Sequence, residues 1–110
     1  MKKTIALSLL VSAFLTTASY AATAADNWDN NCAKCHGTDG SGGTKMGKRL
    51  KVKDYTDASV QTALKDEDMV KAIKDGVKDA DGKDRMKGFK DDLSDAEVND
   101  LVAAIRKMQK

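Results

Sequence analysis

The pentapeptide Cys32-Ala33-Lys34-Cys35-His36 constrains this chain more than any other stretch, because it sets two thiols three positions apart with an imidazole directly behind them. That is the spacing of a c-type haem attachment site. On a bent helix end, each thiol can add to one vinyl group of the same porphyrin, and His36 is then held under the iron. A neutral imidazole coordinates through one ring nitrogen and donates the other, as N–H, to a carbonyl that fixes tautomer and ring plane. The segment Met46 to Lys48 is the expected source of that carbonyl.

Competing readings of the motif explain less. A thioredoxin-like dithiol wants a βαβ context, and no strand pattern precedes Cys32. A structural zinc site needs about four Cys or His ligands, whereas the chain holds two cysteines and one histidine. A plain disulfide leaves the histidine beside Cys35 unexplained.

The start of the chain has the order of an export signal: Met1-Lys2-Lys3, an apolar run from Ile5 to Leu15, then small residues from Thr16 to Ala25. Residues 1–21 are therefore read as a signal peptide, with cleavage after Ala21 or, equally well by its small residues, after Ala24. The apolar run falls short of the roughly 20 residues of a membrane helix, so a soluble periplasmic product with no lasting membrane insertion is expected. Residues 22–110 then form one domain. A chain of that size makes a marginal apolar core, and a covalent staple to a large flat cofactor helps to complete it.

Loss of Lys2 and Lys3 leaves as many lysines and arginines as the 17 acidic residues. Neutrality argues against a nucleic-acid partner. The charges are nonetheless segregated: Lys45, Lys48, Arg49, Lys51 and Lys53 crowd one segment, and Asp91, Asp92, Asp95, Glu97 and Asp100 crowd the approach to the last helix. Such asymmetry can steer a transient protein partner, although solvated surface explains it equally well.

Apolar spacing predicts an all-α domain of about four short helices, with no proline anywhere. The first should cover about 26–35 and carry Trp28, a packing residue, one turn before Cys32. Five glycines between Gly37 and Gly47 predict a loop to about Tyr55. Thr56 or Asp57 then caps a helix to Leu64 with Val60, Ala63 and Leu64 on one face, and Asp66 caps the next, where Met69, Val70 and Ile73 make a stripe ending near Gly76. Residues 77–93 read as an irregular connection, in which Asp79-Ala80-Asp81-Gly82-Lys83-Asp84 lacks the downstream glutamate of a calcium loop and reads as a solvated turn. Ser94-Asp95-Ala96-Glu97 is a capping box, followed by Val98, Leu101, Val102, Ile105 and Met108 at helical intervals.

With one histidine in the chain, a second axial ligand falls to a methionine thioether. Met69 and Met108 sit in helical apolar stripes, where packing accounts for them. Met46 and Met86 lie in predicted loops, and reach excludes neither. Two helices intervene between His36 and Met86, which lets the chain wrap a haem edge and return on the far side, so order favours Met86.

Trp28 four residues before Cys32, the CxxCH followed by Gly37, the segment Asp66-Glu67-Asp68-Met69-Val70-Lys71-Ala72-Ile73-Lys74-Asp75-Gly76, a loop methionine, and Leu93-Ser94-Asp95-Ala96-Glu97-Val98 opening a last helix together resemble the small bacterial class I cytochromes c. The resemblance spans essentially all of residues 22–110. It implies crossed first and last helices, one haem c in a crevice with an exposed edge, thioethers from Cys32 and Cys35, and iron held by His36 and Met86. It also implies a monomeric carrier of single electrons between redox partners rather than an enzyme. The alternative is a gas-binding haem protein with a labile or missing sixth ligand. Three departures stand out: Lys87 replaces the proline often found after the ligand methionine, Ala104 replaces an aromatic residue of the last helix, and the loop after the attachment site lacks its usual proline.

Overall fold

A computed structural model describes residues 22–110, and the expected signal peptide and its cleavage after Ala21 lie outside or at the edge of that span. The elements are α1 (Ala24–Asn31), α2 (Ala33–His36), α3 (Lys45–Leu50), α4 (Ala58–Ala63), α5 (Asp66–Asp75), β1 (Val77–Lys78), β2 (Asp84–Met86) and α6 (Asp95–Arg106). The fold is mostly helical, as expected, with a small antiparallel hairpin added between α5 and α6.

Helix α6 forms as its sequence dictates. The Ser94 side chain accepts from the Glu97 N–H and the Glu97 carboxylate accepts from the Ser94 N–H, so two of the otherwise unpaired donors at the helix start are satisfied. Val98, Leu101, Val102 and Ile105 are buried on one face, with Val98 and Leu101 wholly inaccessible. Helix α1 packs against α6, and α5 packs on α6 as well. A buried Asn27 amide in α1 donates to Glu97 across this contact at 2.8 Å. The first and last helices therefore meet as the resemblance implied.

The single first helix expected over about 26–35 is broken at Cys32, which ends α1 and opens α2. Within the expected glycine loop, α3 forms because Thr44 caps it, its Oγ1 accepting from the Gly47 N–H at 2.8 Å, and Lys51 closes it in the left-handed conformation. Glycine inside a helix normally argues against one. Here a Cβ on Gly47 would lie 2.4 Å from the Cys35 carbonyl oxygen, so close packing of α3 on the attachment turn demands the residue.

Helix α4 turns a different face inward than expected: Gln61 is buried, Leu64 is half-buried and Ala63 is exposed. The Gln61 amide donates to the carbonyls of Tyr55 and Ile105, at 2.7 and 2.8 Å. Arg106 completes this polar knot, donating to the carbonyls of Gln61 and Leu64 at the end of α4 and to Asp66. Helix α5 starts one residue earlier than expected, with Lys65 as its N-cap residue and Asp66, Glu67 and Asp68 in the first turn, where negative charge suits the dipole.

Candidate functional site

One crevice of about 510 Å³ opens into the helical core, and Cys32, Cys35, His36 and Met86 all line it. The rest of its wall is largely apolar, with Leu50, Val52, Leu64, Ile73, Phe89 and Leu101 among its residues. The four positions singled out from sequence are thus brought together, although His36 and Met86 lie 50 positions apart in the chain.

The bend at Cys32 sets the attachment turn. Helix α1 ends with the Cys32 N–H on the Trp28 carbonyl, and the Cys32 carbonyl then accepts from Cys35 and His36. Both thiols face the same cavity as a result. Cys32 is buried, and that burial, with a smaller contribution from the neighbouring Cys35, pushes its thiol pKa up to about 11.

His36 is held on two sides. Tyr55 stacks on its ring at 5.4 Å, and the Trp28 ring lies tilted at 5.7 Å. Burial lowers the histidine pKa, which keeps the imidazole neutral, the form that binds a metal. Its Nδ1 is buried and has no hydrogen-bond partner among the described residues. The carbonyls of Met46 to Lys48 do not serve it, because helix α3 turns them along its own axis; those of Gly47 and Lys48 receive the N–H groups of Val52 and Lys51.

Several residues that build this wall escaped the sequence reading. Trp28 packs as expected, but its Nε1–H also donates to the Gly37 carbonyl at 2.9 Å and pins the chain just after His36. Thr44 donates to the Cys35 carbonyl at 2.6 Å while capping α3. Tyr55 carried no sequence signal beyond being one of two tyrosines, and its role depends on a chain reversal fixed by its own N–H on the Gly40 carbonyl.

The methionines separate clearly. Met46 lines a different surface depression, with Lys34, Lys45 and Arg49. Met108 follows the end of α6 and packs where Gly40 leaves room for its sulfur. Met69 reaches the crevice from α5 but is 5% exposed and part of the apolar core. Met86 is the crevice methionine outside any helix, half-buried at the end of β2. Beside it, the Arg85 guanidinium donates to the Leu50 carbonyl and ties the hairpin to the end of α3.

The family model for the cbb3-type cytochrome c oxidase subunit III matches residues 20–103. The chain belongs to this cytochrome c family. Among solved structures, the KustC0563 c-type cytochrome is similar at 29% identity and a TM-score of 0.70, covering 81% of this chain and 100% of that one. A tyrosine-to-phenylalanine mutant of Kustc0563 is similar at 28% identity and a TM-score of 0.67, covering 80% of this chain and 100% of that one. No curated protein matches. Membership implies a covalently bound haem with its iron, and the site fits such a group: two thiols and a neutral imidazole open on an apolar slot large enough for a flat macrocycle. Electron carriage is the general role of this class of protein.

Proposed function

We propose that the chain is a periplasmic single-haem electron shuttle, in which Cys32 and Cys35 form the thioethers and His36 and Met86 hold the iron. The observation that supports this most is the convergence of those four side chains on one apolar crevice. The haem would supply a one-electron couple. Cys32 and Cys35 would tether it at the start and within α2, and the nearby rings of Trp28 and Tyr55 hold the plane of His36. Met86, on the same crevice, would offer the iron a thioether, leaving no position for a substrate and raising the potential. The apolar wall excludes water and disfavours the extra charge of the ferric state.

The crevice lining favours an acidic redox partner. It carries Lys51, Lys53, Arg85 and Lys87 against a single carboxylate, Asp68. Small transient redox interfaces of this kind dock weakly and fast. No helix among the described residues is long and apolar enough to cross a membrane.

Absorption spectra of the ferric and ferrous holoprotein test the reading. The native protein should show the covalent haem bands and a sulfur-to-iron charge-transfer band, which Met86→Ala abolishes and Met46→Ala leaves intact. The opposite pattern would assign the ligand to Met46. Rapid, stoichiometric carbon monoxide binding by the reduced native protein would point instead to gas binding.

A further inference from the structure

No proline follows Met86, yet its backbone is tightly held from an unexpected direction. Gly76 ends α5 with φ +79°, and a Cβ built on it would lie 2.5 Å from the Met86 carbonyl oxygen and 2.7 Å from the Gly88 nitrogen. Gly88 answers from the other side: its Cβ would lie 2.6 Å from the Lys74 carbonyl oxygen and 2.8 Å from the Asp75 carbonyl carbon. Every one of these contacts is backbone, so no side chain can swing away to make room. Two hydrogen bonds continue the seam, from the Phe89 N–H to the Ile73 carbonyl at 2.8 Å and from the Lys90 N–H to the Lys74 carbonyl at 3.2 Å. The last turn of α5 and the segment 86–90 therefore lie flush, with Met86 itself supplying one contact atom.

We infer that Gly76 and Gly88 are positioning residues that set the depth of Met86 in the crevice, by letting its backbone seat directly on the end of α5. The inference rests on the proposed ligand role of Met86. It differs from a general demand for turn glycines, because Gly82 at the hairpin tip also has φ +79° but nothing within 4 Å of its would-be Cβ. Adding a methyl group at 76 or 88 must lift the segment, and a lifted Met86 yields its place more readily to an external ligand. The apparent affinity of such a ligand reports the fraction of molecules in which the methionine is displaced.

Imidazole titration of the ferric holoprotein measures this, alongside the sulfur-to-iron band and far-ultraviolet circular dichroism. Gly76→Ala and Gly88→Ala should bind imidazole about tenfold more tightly and weaken the band at temperatures where the helices remain folded. Gly82→Asn, which tolerates positive φ, should match the native protein. Lys90→Pro is a milder probe: Lys90 occupies the second position of a turn closed by the Asp92 N–H on the Phe89 carbonyl, which suits proline, and the change deletes only the tether to Lys74. It should tighten imidazole binding severalfold, and it decides the matter if neither alanine variant yields holoprotein.

Affinities and bands indistinguishable from those of Gly82→Asn, while Met86→Ala loses the band, would overturn the glycine inference alone. Lower melting temperatures with an unmoved band and affinity would do the same, since they mark a merely structural role. Persistence of the band in Met86→Ala would instead overturn the ligand assignment on which the inference stands.

Discussion

Replacing Gln61 by Met offers a sharp test of how the chain reversal at Tyr55 is held, because shape is nearly kept while two amide donors and a weak 3.2 Å acceptor for Arg106 vanish. Gln61 is 4% exposed, and its amide supplies hydrogen bonds to Tyr55 and Ile105 carbonyls. The Ile105 carbonyl keeps the Met108 N–H as a second donor at 3.1 Å. The Tyr55 carbonyl has no such reserve among the described hydrogen bonds. Leaving one buried acceptor orphaned costs about 1–3 kcal/mol, and the lesser loss at Ile105 adds a fraction of that, so a total of about 2 kcal/mol is expected. For a domain of this size that corresponds to a fall of roughly 8–16 °C in Tm. Thermal unfolding of the holoprotein followed by circular dichroism reads it. A fall below about 3 °C would show that water or a local shift satisfies Tyr55, and that the knot joining α4 to α6 is not held by this amide.

Two further expectations concern the wall behind the site. The Asn27 amide, helped by the Ser94 N–H, holds the Glu97 carboxyl below its usual range. A depressed folded pKa contributes stability above the unfolded value of about 4.3, and that contribution fades as pH falls through the folded pKa. Asn27→Ala should therefore narrow the difference in Tm between pH 6 and pH 3, and an unchanged acid limb in parallel melts would refute the assignment. Trp28→Phe keeps an aromatic ring but removes the Nε1–H bond to Gly37, at a cost of about 1–2 kcal/mol or roughly 4–16 °C in Tm; an unaltered melt would mean that Gly37 is satisfied by its weaker 3.3 Å contact from Gly40.

What could be read from the residues divides along a physical line. Signals that act over one turn were legible: the Ser94 capping box, the buried face of α6, and the thiol spacing of the attachment site all depend on neighbours three or four positions away. Signals that depend on distant backbone were not. Gln61 looks like a surface residue until two carbonyls from elsewhere in the chain arrive beside it, and Gly47 looks like a helix breaker until the Cys35 carbonyl presses on it. The hairpin at 77–86 was hidden for a related reason, since its strands are two and three residues long, too short for an alternating pattern.

The same distinction bears on the missing proline after Met86. Stiffness supplied by proline is written in one residue, whereas stiffness supplied by packing needs two glycines twelve positions apart and means nothing until the fold brings them together. Lys87 in the place of that proline leaves the segment without local stiffening, and long-range contacts hold it instead. Its base is seated on α5 through backbone contact, its flank is tied by Arg85 to Leu50, and Lys78 pairs with Asp84 across the strands at 2.6 Å. Only the tip is open, where the Asp79 carboxylate accepts from Asp81 and Lys83 and so organises the turn itself. An exposed salt bridge contributes little, which leaves the base as the part that holds Met86. A segment fixed at its base and free at its tip can vary in the turn without disturbing the crevice, so length changes at 80–83 should be tolerated where a single methyl group at 76 or 88 is not.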